Sequence, residues 1–219
     1  LDILAAGGGI LSTMRATQSA SEEQLEAKAS AALDEMLRFG TTTAEAKSGY
    51  GLSTGEECKA LRVIGNLQKH HVMDLAATFM GAHAVPEAYR DNRQGYLELL
   101  CEEMLPAVQE QGIAEFCDVF CEKGVFSAEE SRRILLTGRQ HGLLPKIHAD
   151  EIEAIGGSEL AGEIGAVSAE HLIVCPPSGI ASMARGGTIA CCLPATSFYL
   201  GAAYAPVQDM VQAGVPVAM

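Results

Sequence analysis

Positive charge is scarce in this sequence: 15 Lys and Arg stand against 28 Asp and Glu, a formal net charge of -13. Binding to nucleic acid or to an anionic membrane relies on clustered Lys and Arg that neutralise phosphates, so neither is expected as a partner. A small-molecule substrate stays open, as does assembly into a homo-oligomer. No uninterrupted apolar segment approaches the roughly 20 residues that cross a bilayer. No basic stretch leads into an apolar run with a cleavage site, so no secretory leader is read. The seven cysteines are an odd number without metal-finger spacing. Cys191 and Cys192, adjacent in an apolar run, cannot form an ordinary bridge. Reduced core cysteines in a cytoplasmic protein are the expectation. Also missing are a GxSxG elbow, a phosphate loop and a dinucleotide fingerprint, since Gly7-Gly8-Gly9 follows no strand with the required spacing.

What is present is a chain of 219 residues, 48% hydrophobic, able to bury a sizeable core. Its 23 glycines and 8 prolines fall between apolar segments, with no linker or repeat. Residues 1–219 therefore read as one domain. Helices are expected over Ser21–Phe39, Glu56–His70, Gln94–Gln109, Ala128–Gln140, Gly157–Glu163, Gly179–Ala184 and Val207–Ala213. Strands are expected over Thr41–Ala46, Leu75–Met80, Glu115–Phe120, Leu143–Ile147, Ala166–Ser168, Thr188–Leu193 and Val215–Met219. About seven strands alternating with helices fit right-handed crossovers between parallel strands. A doubly wound sheet and a (β/α)8 barrel share that rhythm. Polar residues after nearly every strand favour the barrel, which gathers its site at the carboxyl ends of the strands, whereas an open sheet concentrates it at one switch point. Leu1 in place of Met, and a strand just beginning at Gly214 to Met219, make truncation at both ends the expectation.

His83, His148 and His171 each follow an apolar strand segment, where imidazole can ligate a metal or move a proton near neutral pH. A histidine satisfied by backbone is the commoner case for any one of them, but three at equivalent positions favour function. His148-Ala149-Asp150-Glu151 puts a candidate ligand and candidate acid/base groups in one loop. Glu122, after Val119-Phe120-Cys121, either faces the barrel mouth or caps the next segment. Tyr50, between Gly49 and Gly51, offers a hydroxyl where backbone can approach a ligand closely. His70, His71 and His141 sit at helix ends and receive no role. His83, Glu122, His148 and His171 are expected to converge on one end of the strands.

Taken together, Lys47-Ser48-Gly49-Tyr50-Gly51-Leu52, Gly81-Ala82-His83-Ala84-Val85-Pro86, Asp118-Val119-Phe120-Cys121-Glu122, the run from His148 to Gly157 and Ser168-Ala169-Glu170-His171-Leu172 resemble the imidazolonepropionases. The resemblance implies an amidohydrolase-superfamily (β/α)8 TIM-type barrel, here incomplete, without its first strand, the end of its eighth, or the family's small β-sandwich. It implies hydrolysis of 4-imidazolone-5-propanoate to N-formimino-L-glutamate, a step of histidine degradation, with a zinc or iron ion. His148 matches a metal ligand, Glu151 and His171 the acid/base and polarising catalytic groups, and Tyr50 and His83 substrate contacts. The family's paired histidine ligands would precede Leu1 and its aspartate ligand would follow Met219. The chain alone is thus expected to be inactive and to hold the ion weakly or not at all. Dihydroorotase-like and guanine-deaminase-like chemistry stay open, as does a non-catalytic barrel fragment.

Overall fold

The computed structural model describes residues 10–219, with side chains from residue 13 onward; the Gly7-Gly8-Gly9 segment lies outside them. The chain divides into two compact units, Leu1–Phe116 and Cys117–Met219. Among the described residues, no helix is long and apolar enough to cross a membrane.

In the first unit, α1 (Ile10–Ser19) and α2 (Glu22–Arg38) precede β1 (Thr43–Lys47), α3 (Thr54–His70) and β2 (Asp74–Ala82). Ser21 starts α2 because its hydroxyl accepts from the Gln24 amide while the Gln24 side chain accepts from the Ser21 amide, which satisfies two otherwise orphaned donors. β1 and β2 pair in parallel, Thr43 opposite Asp74 through Lys47 opposite Thr78. Leu33 of α2, Val63 and Leu67 of α3, and Leu75 of β2 bury one apolar cluster with Met73. α4 (Arg93–Leu99) runs through a π-helical turn, Leu100–Met104, into α5 (Leu105–Gln111). Pro106 accounts for the turn: it has no N–H for the carbonyl four residues back, and the wider turn accommodates its ring. The fully buried Tyr96 of α4 donates its hydroxyl to the Gly81 carbonyl at 2.7 Å, tying the helix to the carboxyl end of β2.

The second unit holds β3 (Phe116–Cys121), α6 (Ala128–Gln140), β4 (Leu144–Ala149), α7 (Gly157–Ile164), β5 (Ser168–His171), α8 (Pro177–Gly186), β6 (Ile189–Cys191), α9 (Pro194–Leu200), α10 (Val207–Gln212) and β7 (Val217–Ala218). β3 to β7 lie side by side in chain order. The β4–β5, β5–β6 and β6–β7 pairs are parallel. Among the described residues neither unit shows the reversal of strand order that would make a doubly wound sheet, so the incomplete barrel is the fold class. α7 and α8 pack unusually closely, since a Cβ on Gly162 would stand 2.2 Å from the Ser182 backbone and one on Gly186 2.3 Å from the Gly162 carbonyl.

The strands differ from their sequence-based bounds where the chemistry lies. β4 runs through Ala149, so His148 sits inside the strand instead of after it, and β5 is displaced to Ser168–His171, so His171 is its last residue. Parallel hydrogen bonding carries both strands past their apolar segments. α9 has no counterpart in the sequence-based reading, because its exposed residues include Phe198, Tyr199 and Leu200 while Ser197 is buried, which reverses the usual polar-out pattern.

Candidate metal centre and substrate loop

On β3, β4 and β5, alternate residues turn the same way, and the polar ones on that face are Asp118, then Lys146 and His148, then Ser168 and Glu170. The register sets His148 opposite Glu170. Asp118, fully buried, faces His148 Nδ1 from Oδ1 at 3.1 Å. Its carboxylate can only accept, so Nδ1 carries the hydrogen and Nε2 keeps the lone pair. Glu170 accepts from Ser168 Oγ at 2.7 Å and pairs with Lys146 Nζ at 3.2 Å, both through Oε1. One ligand atom each from Asp118, His148 and Glu170 lies within 4.8 Å of the other two, close enough to hold a metal ion. The carboxylates are nevertheless engaged, Asp118 on the imidazole and Glu170 beside an ammonium that repels a cation. Asp118 is thus placed to orient the His148 ring, the arrangement common for metal-binding histidines.

Beyond β4 the chain turns through Asp150, with φ of 51°, and two residues of the same left-handed kind close the next strand and follow it, His171 at 72° and Leu172 at 57°. Such backbone is costly for residues with a Cβ and persists where surrounding structure enforces it. The Leu172 amide donates to the Ala149 carbonyl at 3.1 Å and the Val174 amide to that of Asp150 at 2.9 Å. Held this way, His171 Nδ1 stands 3.7 Å from Glu151 Oε1, and its ring centroid 5.2 Å from that of His148. Burial pushes the Glu151 carboxyl up from its ordinary range, with nearby Glu122 adding to the shift and His148 opposing it. Asp150 is fully buried, and neither of its carboxylate oxygens makes a hydrogen bond of good geometry. Burial pushes it up to about 6, with nearby Ser158 opposing the shift and the Glu159 and Glu122 carboxylates adding to it. Glu122 turns out to be an anchor: its buried carboxylate accepts from the amides of Lys123 at 2.8 Å, Ile152 at 2.8 Å and Glu153 at 3.1 Å, pinning the loop that carries Glu151.

The first unit presents Tyr50 and His83. Tyr50 lies in the loop after β1, and His83 directly follows β2. Their rings meet edge-on at 5.1 Å, and His83 Nδ1 stands 3.0 Å from the Gly49 carbonyl. Ser48 Oγ accepts from the Met80 amide at 2.9 Å, binding the loop to β2. Thus Tyr50 and His83 are brought together in one unit, and His148, Glu151 and His171, with Glu122 anchoring the loop between them, in the other. The sequence gives no sign of a role for Asp118, since its partner is 30 residues away and only the pairing of strands joins them.

No family model matches the chain. Curated relatives do: it is 53% identical over 220 residues to the imidazolonepropionase of Alkaliphilus metalliredigens, covering all of this chain and 52% of that protein. It is 53% identical over 220 residues to that of Streptococcus gordonii, with the same coverage, and 51% identical over 219 residues to that of Shouchella clausii, covering 49% of it. Imidazolonepropionase is what this chain resembles along its whole length. The chain spans about half the length of these imidazolonepropionases. Among solved structures it superposes on the 5-methylcytosine deaminase of Klebsiella pneumoniae with a TM-score of 0.70 at 14% identity, covering 92% of this chain and 53% of that one. On the guanine deaminase of C. acetobutylicum the TM-score is 0.67 at 13% identity, covering 94% and 51%. An atrazine chlorohydrolase from Arthrobacter aurescens, solved with zinc, gives 0.62 at 15%, covering 90% and 48%. These three carry the fold and say nothing of the substrate here. The imidazolonepropionase likeness, in contrast, includes every loop described above.

Proposed function

We propose that the protein containing this chain hydrolyses 4-imidazolone-5-propanoate to N-formimino-L-glutamate, a step of histidine degradation. The carrying observation is identity of 53% over the full chain to imidazolonepropionase, against 13 to 15% to the deaminases and the chlorohydrolase. The seven cysteines, all unbridged, suit a cytoplasmic setting.

Hydrolysis adds water across the ring amide, the oxygen going to the carbonyl carbon and a proton to the departing nitrogen. His148 would hold a zinc or iron ion through Nε2, with Asp118 fixing its tautomer. When bound, the ion supplies Lewis acidity toward water and the ring carbonyl. His171, turned by its left-handed backbone, donates a hydrogen bond to the carbonyl oxygen as negative charge develops there. Glu151 takes a proton from the attacking water and delivers it to the ring nitrogen. Burial raises its proton affinity, which favours its accepting that proton. Glu122 keeps that carboxyl in place by holding the Ile152 and Glu153 amides that follow it. Tyr50 and His83 contact the substrate.

The test is substrate profiling of the full reading frame that encodes this chain, purified and reconstituted with zinc or with iron. Turnover of 4-imidazolone-5-propanoate is the expected result. Turnover confined to guanine or dihydroorotate, or none with any of the three despite bound metal, sinks the proposal.

A further inference from the structure

Glu57 sits in the first turn of α3, where an acid is common because it suits the positive end of the helix dipole. Its surroundings are not those of a helix-surface acid. The side chain is fully buried and its carboxylate is spent on the backbone of the preceding loop. Oε2 accepts from the Gly49 amide at 3.0 Å, and Oε1 from the amides of Gly51 at 2.8 Å and Leu52 at 2.7 Å. Three of the four amides from Gly49 to Leu52 converge on one carboxylate, with Tyr50 held between them. The loop needs this anchor, since Gly49 and Leu52 both adopt left-handed backbone, φ 81° and 54°. Buried amides without an acceptor would otherwise oppose that conformation. The fit is close: a Cβ on Gly51 would stand 2.9 Å from Glu57 Oε1 and 2.5 Å from its backbone nitrogen. Gly49, fixed at its amide by Glu57, offers its carbonyl to His83 Nδ1. One carboxylate therefore sets both partners of the Tyr50–His83 pair.

We infer that Glu57 is the positioning residue of the substrate loop: its carboxylate, by gathering the Gly49, Gly51 and Leu52 amides, places the Tyr50 ring against His83. The inference rests on Tyr50 being a substrate contact, as proposed above. It requires two acceptor oxygens. Glutamine, equal in length, has one acceptor and an NH2 group that would face an amide hydrogen, so part of the clamp opens.

The experiment uses the full reading frame and the variants Glu57→Gln, Tyr50→Phe and both together. E57Q should speed hydrogen exchange at Gly49, Gly51 and Leu52 while the β2 amides keep their protection. It should raise KM for 4-imidazolone-5-propanoate about tenfold or more, the scale on which misplaced contacts cost, with kcat changed much less. In the double variant the two KM effects should not multiply, because Y50F removes a contact that E57Q has already displaced. A raised KM for Y50F combined with multiplying effects overturns the positioning role alone. Unchanged KM for Y50F overturns the substrate assignment, and the inference with it. If E57Q does not fold, Gly51→Ala opens the same clamp from the loop side and is held to the same exchange and coupling criteria.

Discussion

Replacing Asp118 by asparagine is the most direct probe of how His148 is prepared for a metal. The substitution keeps the shape of a fully buried side chain and an oxygen that can accept from Nδ1, but removes the negative charge. A charge-assisted hydrogen bond is about twice as strong as its neutral counterpart. Loss of such a partner to a metal-bound imidazole typically weakens metal binding about 10- to 100-fold, or about 1.4 to 2.7 kcal/mol. Zinc affinity of the full reading frame, measured by competition with a chelator and without substrate, reads this directly. Melting with and without saturating zinc reads it again, because the stabilisation a ligand confers falls with its affinity. Glu170→Gln is the control. If Asp118 and Glu170 were themselves ligands, both variants would lose zinc to a similar and larger extent. If Glu170 serves Lys146 and Ser168 instead, E170Q should change affinity much less than D118N. Zinc bound by D118N as tightly as by the parent would refute the orienting role.

Three further outcomes are expected. His171→Ala should lower turnover about a hundredfold or more with metal retained, the usual cost of one oxyanion donor, whereas His148→Ala should lose metal and turnover together; metal lost from H171A would make His171 a ligand. Asp150, raised to about 6 when folded from 3.8 otherwise, binds more protons folded than unfolded between those values, so its contribution to stability is present below about pH 4 and lost as pH rises through 6. Asp150→Asn should remove that decline, so that stability relative to the parent rises between pH 4 and 7, on the order of 2 kcal/mol, in denaturant titrations; a constant difference across that range would contradict it. Gly162→Ala would ordinarily favour a helix by about 1 kcal/mol, but here the added Cβ meets the Ser182 backbone at 2.2 Å, so a net loss of about 1–3 kcal/mol is expected from overpacking; an unchanged or higher denaturation midpoint would show that the helices part freely.

The alternation of strands and helices and the order of the chemical groups follow from residue types and spacing along the chain. The helix over Ala128–Gln140 was legible to the residue because Ser127 and Glu130 form a capping box from atoms three positions apart. The motif loops were legible because strand-end histidines and glycine-flanked Tyr50 declare themselves in short runs. That His148 lies within its strand, opposite Glu170 and in contact with Asp118, is visible in the fold alone, since it depends on how strands 22 to 30 residues apart come together. Glu57 was likewise hidden, and Glu122, though it stands out after its strand, could be read there either as facing the site or as capping the next segment. The meaning of each comes from backbone amides that reach it only after the chain has folded. Hydrogen-bond partners of buried carboxylates are chosen by three-dimensional closure, and no local propensity encodes that choice.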